Sequence, residues 1–82
     1  MKSVTPIELS SDVNHILKEI GSRIRKKRKL AYRNYEDFAR IHKFNKVTVS
    51  RIEMGSNSSL KSIIMVSRAL EIPINELFNG IH

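Results

Sequence analysis

Every regularly patterned stretch of this chain repeats its apolar residues at helical spacing, and none alternates with the period of two that marks a strand. The longest stripe is Val13, Ile16, Leu17, Ile20 and Ile24, continued by Arg28 and Ala31. That pattern predicts a first helix from Asp12 to about Leu30, capped by Ser11 with Asp12 in its first turn. Residues 1–11 keep no period and read as an N-terminal arm, leaving 12–82 as the folded domain.

Cap residues divide the rest of the chain. Asn34, with Asp37 three residues on, opens a second short helix carrying Phe38, Ala39, Ile41 and His42. The chain must turn near Lys43, and Asn45 can cap a third helix from Lys46 to Met54, stopped at Gly55. After the polar loop 55–58, Ser59 caps a fourth helix with an apolar face of Leu60, Ile63, Ile64, Val66, Ala69 and Leu70. Pro73 separates it from a last turn over Asn75–Phe78. The expected fold is all-α, five short helices around one core, which 82 residues can just supply.

The third helix has two chemically different sides. At about 100° per residue, Val49 and Ile52 share one side and anchor it. Lys46, Val47, Ser50 and Arg51 fall on the other. Those four offer cationic donors, a hydroxyl and a branched apolar group, the set that suits base edges and a thymine methyl in a DNA major groove. Fifteen Lys and Arg against eight Asp and Glu give a net charge of +7, which favours a polyanionic partner. Lys26, Lys27 and Lys29 add basic charge on the first helix.

Together these residues resemble the lambda-repressor-like helix-turn-helix family of Cro/C-type regulators. The resemblance runs from Ile20 to Phe78 without a gap. It rests on Ile24-Arg25-x-x-Arg28, Phe38-Ala39, Phe44-Asn45, Thr48-Val49-Ser50-Arg51-Ile52-Glu53-x-Gly55, Ser59-Leu60, Ala69-Leu70-x-Ile72 and Glu76-Leu77. It implies a compact five-helix DNA-binding domain whose second and third helices form the helix-turn-helix. It implies base reading by Lys46, Val47, Ser50 and Arg51. Phosphate contacts are implied at Asn34 and Tyr35, at Asn45, and in the loop Ser56, Asn57 and Ser58. The chain departs from the pattern at Lys43 and Glu71 and near Tyr32, where glycine is usual, and at Tyr35, where glutamine is common.

One charge pair follows from packing. Arg28 lies on the inward stripe of the first helix and Glu53 on the inward edge of the third, so the two are expected to form a partly buried bridge. The family often has an arginine–glutamate bridge at these two positions. Ile74, Phe78 and Ile81 are candidate dimer contacts that also serve the core.

The expected function is sequence-specific binding of double-stranded DNA by a dimeric, cytoplasmic transcriptional regulator, a repressor reading a near-palindromic operator. The alternative is an antitoxin that holds a toxin or other protein partner and represses its own operon. A basic helix lying on a membrane is disfavoured because its apolar stripe is needed for the core. No catalytic constellation is visible. With no cysteine and with His15, His42 and His82 scattered, neither a metal site nor a cofactor is expected.

Overall fold

The computed structural model describes the backbone of residues 6–81 and the side chains of residues 12–81. Its helices are α1 (Pro6–Ala31), α2 (Tyr35–His42), α3 (Lys46–Glu53), α4 (Leu60–Ala69) and α5 (Ile74–Phe78). No strand occurs among the described residues, so the chain is all-α.

The first helix starts earlier than expected, and Leu9, four residues before Val13, extends its apolar spacing. It begins at Pro6, and Ser11, the expected cap, lies inside it. A proline at the first helical position has no N–H to leave unpaired, so it opens a helix without loss. Residues 6–11 are therefore helical and not an arm, while residues 1–5 and His82 lie outside the described residues.

The other helix starts fall where their caps predict. Asn34 Oδ1 accepts the Asp37 N–H at 2.8 Å, and Ser59 Oγ accepts the Ser62 N–H at 3.1 Å. Three helix ends share one geometry. Lys43, Gly55 and Glu71 have φ of 58°, 77° and 59°. After each, the next N–H reaches back five residues to a carbonyl: Phe44 to Ala39 at 2.8 Å, Ser56 to Arg51 at 2.9 Å, and Ile72 to Ser67 at 2.9 Å. Only Gly55 adopts this left-handed conformation without a Cβ penalty; Lys43 and Glu71 are strained.

The core is built from Ile20, Ile24, Phe38, Ala39, Val49, Ile52, Ile63, Val66, Leu70, Ile72 and Leu77. Ile41 and Leu60, expected on apolar faces, stay outside it, and Met54 and Met65 are exposed as well. On α2 the buried face is centred between Phe38 and Ala39, and Ile41 points about 110° away. Met65 lies opposite Ile63 and Val66 on α4, Leu60 sits in its first turn, and Met54 caps the end of α3. Helices this short bury a narrow stripe, not a broad one.

α3 seats on α1 at backbone distance. A Cβ at Gly21 would overlap the Ile52 carbonyl oxygen, and one at Gly55 would lie 2.7 Å from the Lys18 Cα. The end of α3 and the turn after it thus rest directly on the middle of α1. No helix among the described residues is long and apolar enough to cross a membrane.

Candidate nucleic-acid interface

A three-residue turn, Lys43-Phe44-Asn45, joins α2 to α3. Phe44 packs back on Phe38 with ring centroids 5.7 Å apart, which ties the turn to the core. His42 is half-buried beside them, 2.7 Å from the Tyr32 hydroxyl. Asn45 Oδ1 then accepts the N–H groups of Val47 at 2.8 Å and Thr48 at 3.3 Å. That side-chain oxygen starts α3 at Lys46 and is committed to the helix.

The two sides of α3 separate as its sequence predicts. Val49 is fully buried and Ile52 nearly so. Lys46, Val47 and Arg51 are exposed, and Ser50 is half-buried at the rim of a cleft, its Oγ directed at Met54 Sδ at 3.6 Å. The candidate base-reading quartet shares one side of the helix, with Ser50 the most recessed member.

A cleft lies along each flank of that side. The first, about 260 Å³, is lined by Arg25, Arg28, Tyr35, Ser50, Glu53 and Met54. The second, also about 260 Å³, is lined by Thr48, Arg51, Asn57, Ser58, Ser59 and Ser62. It opens at the start of α4, where the Ser62 N–H is taken by Ser59 Oγ and the N–H groups of Leu60 and Lys61 have no partner within the helix and carry partial positive charge. The first cleft opens at the start of α2, below Tyr35.

The candidate phosphate contacts divide accordingly. Tyr35 lines the first cleft, and Asn57 and Ser58 line the second. Ser56 is half-buried and serves the turn through its backbone: its N–H reaches Arg51, and its carbonyl lies 3.5 Å from Ser58 Oγ. Asn34 and Asn45 are N-caps, so their side-chain oxygens are occupied. Arg25, Thr48, Ser59 and Ser62 line the clefts but were not singled out from the sequence. For Arg25 a signal existed: it lies one turn before Arg28 on the same side of α1. Lys26 and Lys27 were read as general basic charge, and they line a different groove, between α1 and α5.

Arg28 and Glu53 form the expected bridge. Arg28 Nε donates to Glu53 Oε2 at 3.0 Å and Nη2 to Oε1 at 2.7 Å, with both side chains about 5% exposed. The hydrogen bonds to Glu53 hold the Arg28 guanidinium above its already high pKa; burial opposes them, and the carboxylate's charge adds to them. This fork fixes the rotation of α3 about its own axis relative to α1.

Among the candidate dimer contacts, Ile74 and Phe78 are partly exposed on α5, while Ile81 is half-buried against the core. No cluster of three or more His, Cys, Asp or Glu suited to a metal occurs among the described residues. Comparison with family models, with curated proteins and with solved structures gave no match.

Proposed function

We propose that this chain binds double-stranded DNA sequence-specifically, with α2, the turn and α3 acting as a helix-turn-helix, and that it serves as a small dimeric transcriptional repressor. The observation that carries this reading is the division of labour on α3. Val49, Ile52 and Glu53 hold the helix in place, and Lys46, Val47, Ser50 and Arg51 are left for a ligand.

In this reading α3 enters the major groove. Arg51 and Lys46 donate to acceptors on guanine, Val47 meets a thymine methyl, and Ser50 takes a donor or acceptor. The flanking clefts receive phosphates from the groove's two walls. Tyr35 and Arg25 serve one wall, and Asn57, Ser58 and the start of α4 serve the other. The excess of positive charge adds sequence-independent attraction by counterion release. One short helix reads few base pairs, so specificity calls for two copies on half-sites about one helical turn apart.

The test is random-site selection on duplex DNA followed by footprinting. The expected product is a near-palindrome with two protected half-sites. A pool that stays random while binding falls steeply with salt would leave only a basic protein adhering to a polyanion.

A further inference from the structure

We infer that α1 pairs antiparallel with α1 of a second copy, Asp12 near the start of each helix lying on Lys26 and Lys27 near the end of the other. The charges of α1 are sorted along its length. Asp12 lies in its first half and Glu19 at its middle, with Lys18 on another face, and Arg23, Lys26 and Lys27 lie in its second half. They are also sorted around it. At about 100° per residue, all five fall with Ile16 and Leu30 in one strip about 100° wide. Ile16, Arg23 and Leu30 follow one another at intervals of seven, as do Asp12, Glu19 and Lys26, the repeat with which paired helices meet.

The fold covers this strip only at Ile16, packed against the core, and at Arg23, braced on α5. Leu30 is 83% exposed, the most exposed large apolar side chain among the described residues. It shares an open groove of about 400 Å³ with Arg23, Lys26, Lys27 and Ile72. Lys26 and Lys27 are exposed and join no ion pair among the described residues. Arg23 reaches Glu19 at 3.4 Å and the carbonyls of Glu76 and Leu77 at 3.0 and 3.3 Å, so it braces α5 along the edge of the groove.

Charge selects the occupant and its direction. A parallel copy would set lysines on lysines and carboxylates on carboxylates. An antiparallel copy brings its Asp12 to Lys26 and Lys27, twice by symmetry, and leaves Glu19 at the two-fold axis beside the other copy's Glu19, each carboxylate next to its own Arg23. The helix thus carries both halves of its own complement. The strip is turned about 150° from the Arg25 edge of α1, where the first cleft opens, so pairing leaves α3 uncovered. The argument stands on α1 alone; only its use on a two-fold operator rests on the DNA-binding reading.

A helix about 39 Å long and about 10 Å wide offers roughly 400 Å² per copy, about half of a standard interface, so the association is weak. Sedimentation equilibrium of the whole chain, without DNA, from about 10 μM to about 1 mM, tests it. The wild type is expected to dimerise within that range. Lys26→Glu/Lys27→Glu and Asp12→Lys/Glu19→Lys are each expected to stay monomeric alone and to form a heterodimer when mixed. Leu30→Asp, at an exposed site, is expected to weaken the dimer at least about tenfold. The chain has no cysteine, so Asp12→Cys mixed with Lys27→Cys should cross-link, and Asp12→Cys alone should not. A wild type still monomeric at the top concentration overturns the inference. So do reversal variants that dimerise unchanged, which would point to Ile74 and Phe78, a mixture that stays monomeric, or self-cross-linking at position 12. A failed site selection would count against the DNA reading and not against this pairing.

Discussion

Removing Glu53 is the sharpest test of how α3 is held. Glu53→Ala deletes two charge-assisted hydrogen bonds, at 2.7 and 3.0 Å, and strands the Arg28 guanidinium where its side chain is about 5% exposed. Breaking a buried pair on one side costs about 3–5 kcal/mol, most of it the penalty of an uncompensated charge. Arg28 borders an open cleft and can recover some hydration, which places the cost near the lower end, about 3 kcal/mol. With an unfolding entropy of about 2.1 cal/mol/K per residue, that lowers the melting temperature of an 82-residue domain by roughly 17 °C. Thermal unfolding by circular dichroism reads the shift. The double variant Arg28→Met/Glu53→Leu, which removes both charges and keeps apolar volume, is expected to regain most of the loss. The sign of the pH effect also follows. A group whose pKa rises on folding stabilises below its unfolded value and ceases to do so only as pH passes its folded value. For Arg28 both lie in the strongly alkaline range, so its side of the bridge adds no pH dependence near neutrality. A Glu53→Ala melting point within roughly 3 °C of wild type would show that the fork does not hold the helix.

Three further outcomes test the fold and the proposed site. Arg51→Ala is expected to cost about 1–3 kcal/mol of discrimination between a selected operator and a one-base variant, measured by competition, with melting unchanged because Arg51 is exposed. Lys43→Gly and Glu71→Gly relieve left-handed strain and are each expected to raise stability by up to about 1 kcal/mol in urea denaturation, with no change in slope. Gly21→Ala sets a methyl against the Ile52 carbonyl and is expected to lower the melting temperature steeply, although alanine is the better helix former.

What the sequence made legible was mostly local. Asn34, Asn45 and Ser59 are caps because a short polar side chain bonds an N–H two or three residues away, and no tertiary knowledge is needed to see it. The bridge was legible because two inward charges demand each other. The start of α1 was missed although its signals were there: Leu9 stands four residues before Val13 and seven before Ile16, and Pro6 is itself a start signal. The division of the first-helix cations was not legible. Arg25 borders α3, whereas Lys26 and Lys27 face the α5 side, and that depends on which helix lies on which flank. The second cleft depends in the same way on where the loop 55–58 folds back against α3. Ile41 and Leu60 were misassigned because an apolar residue on a short helix need not lie on its buried stripe.

The seating of α3 on α1 through backbone atoms has a consequence for change over time. Where Gly21 and Gly55 let main chain meet main chain, the pose of the helix does not depend on the side chains it turns to solvent. Lys46, Val47 and Arg51 can then be exchanged while the scaffold stays as it is, with Ser50 the partial exception at its cleft rim. On the proposed reading of α3 as the DNA-contacting helix, a lineage built on this plan can acquire a new target through a handful of substitutions and keep its architecture intact.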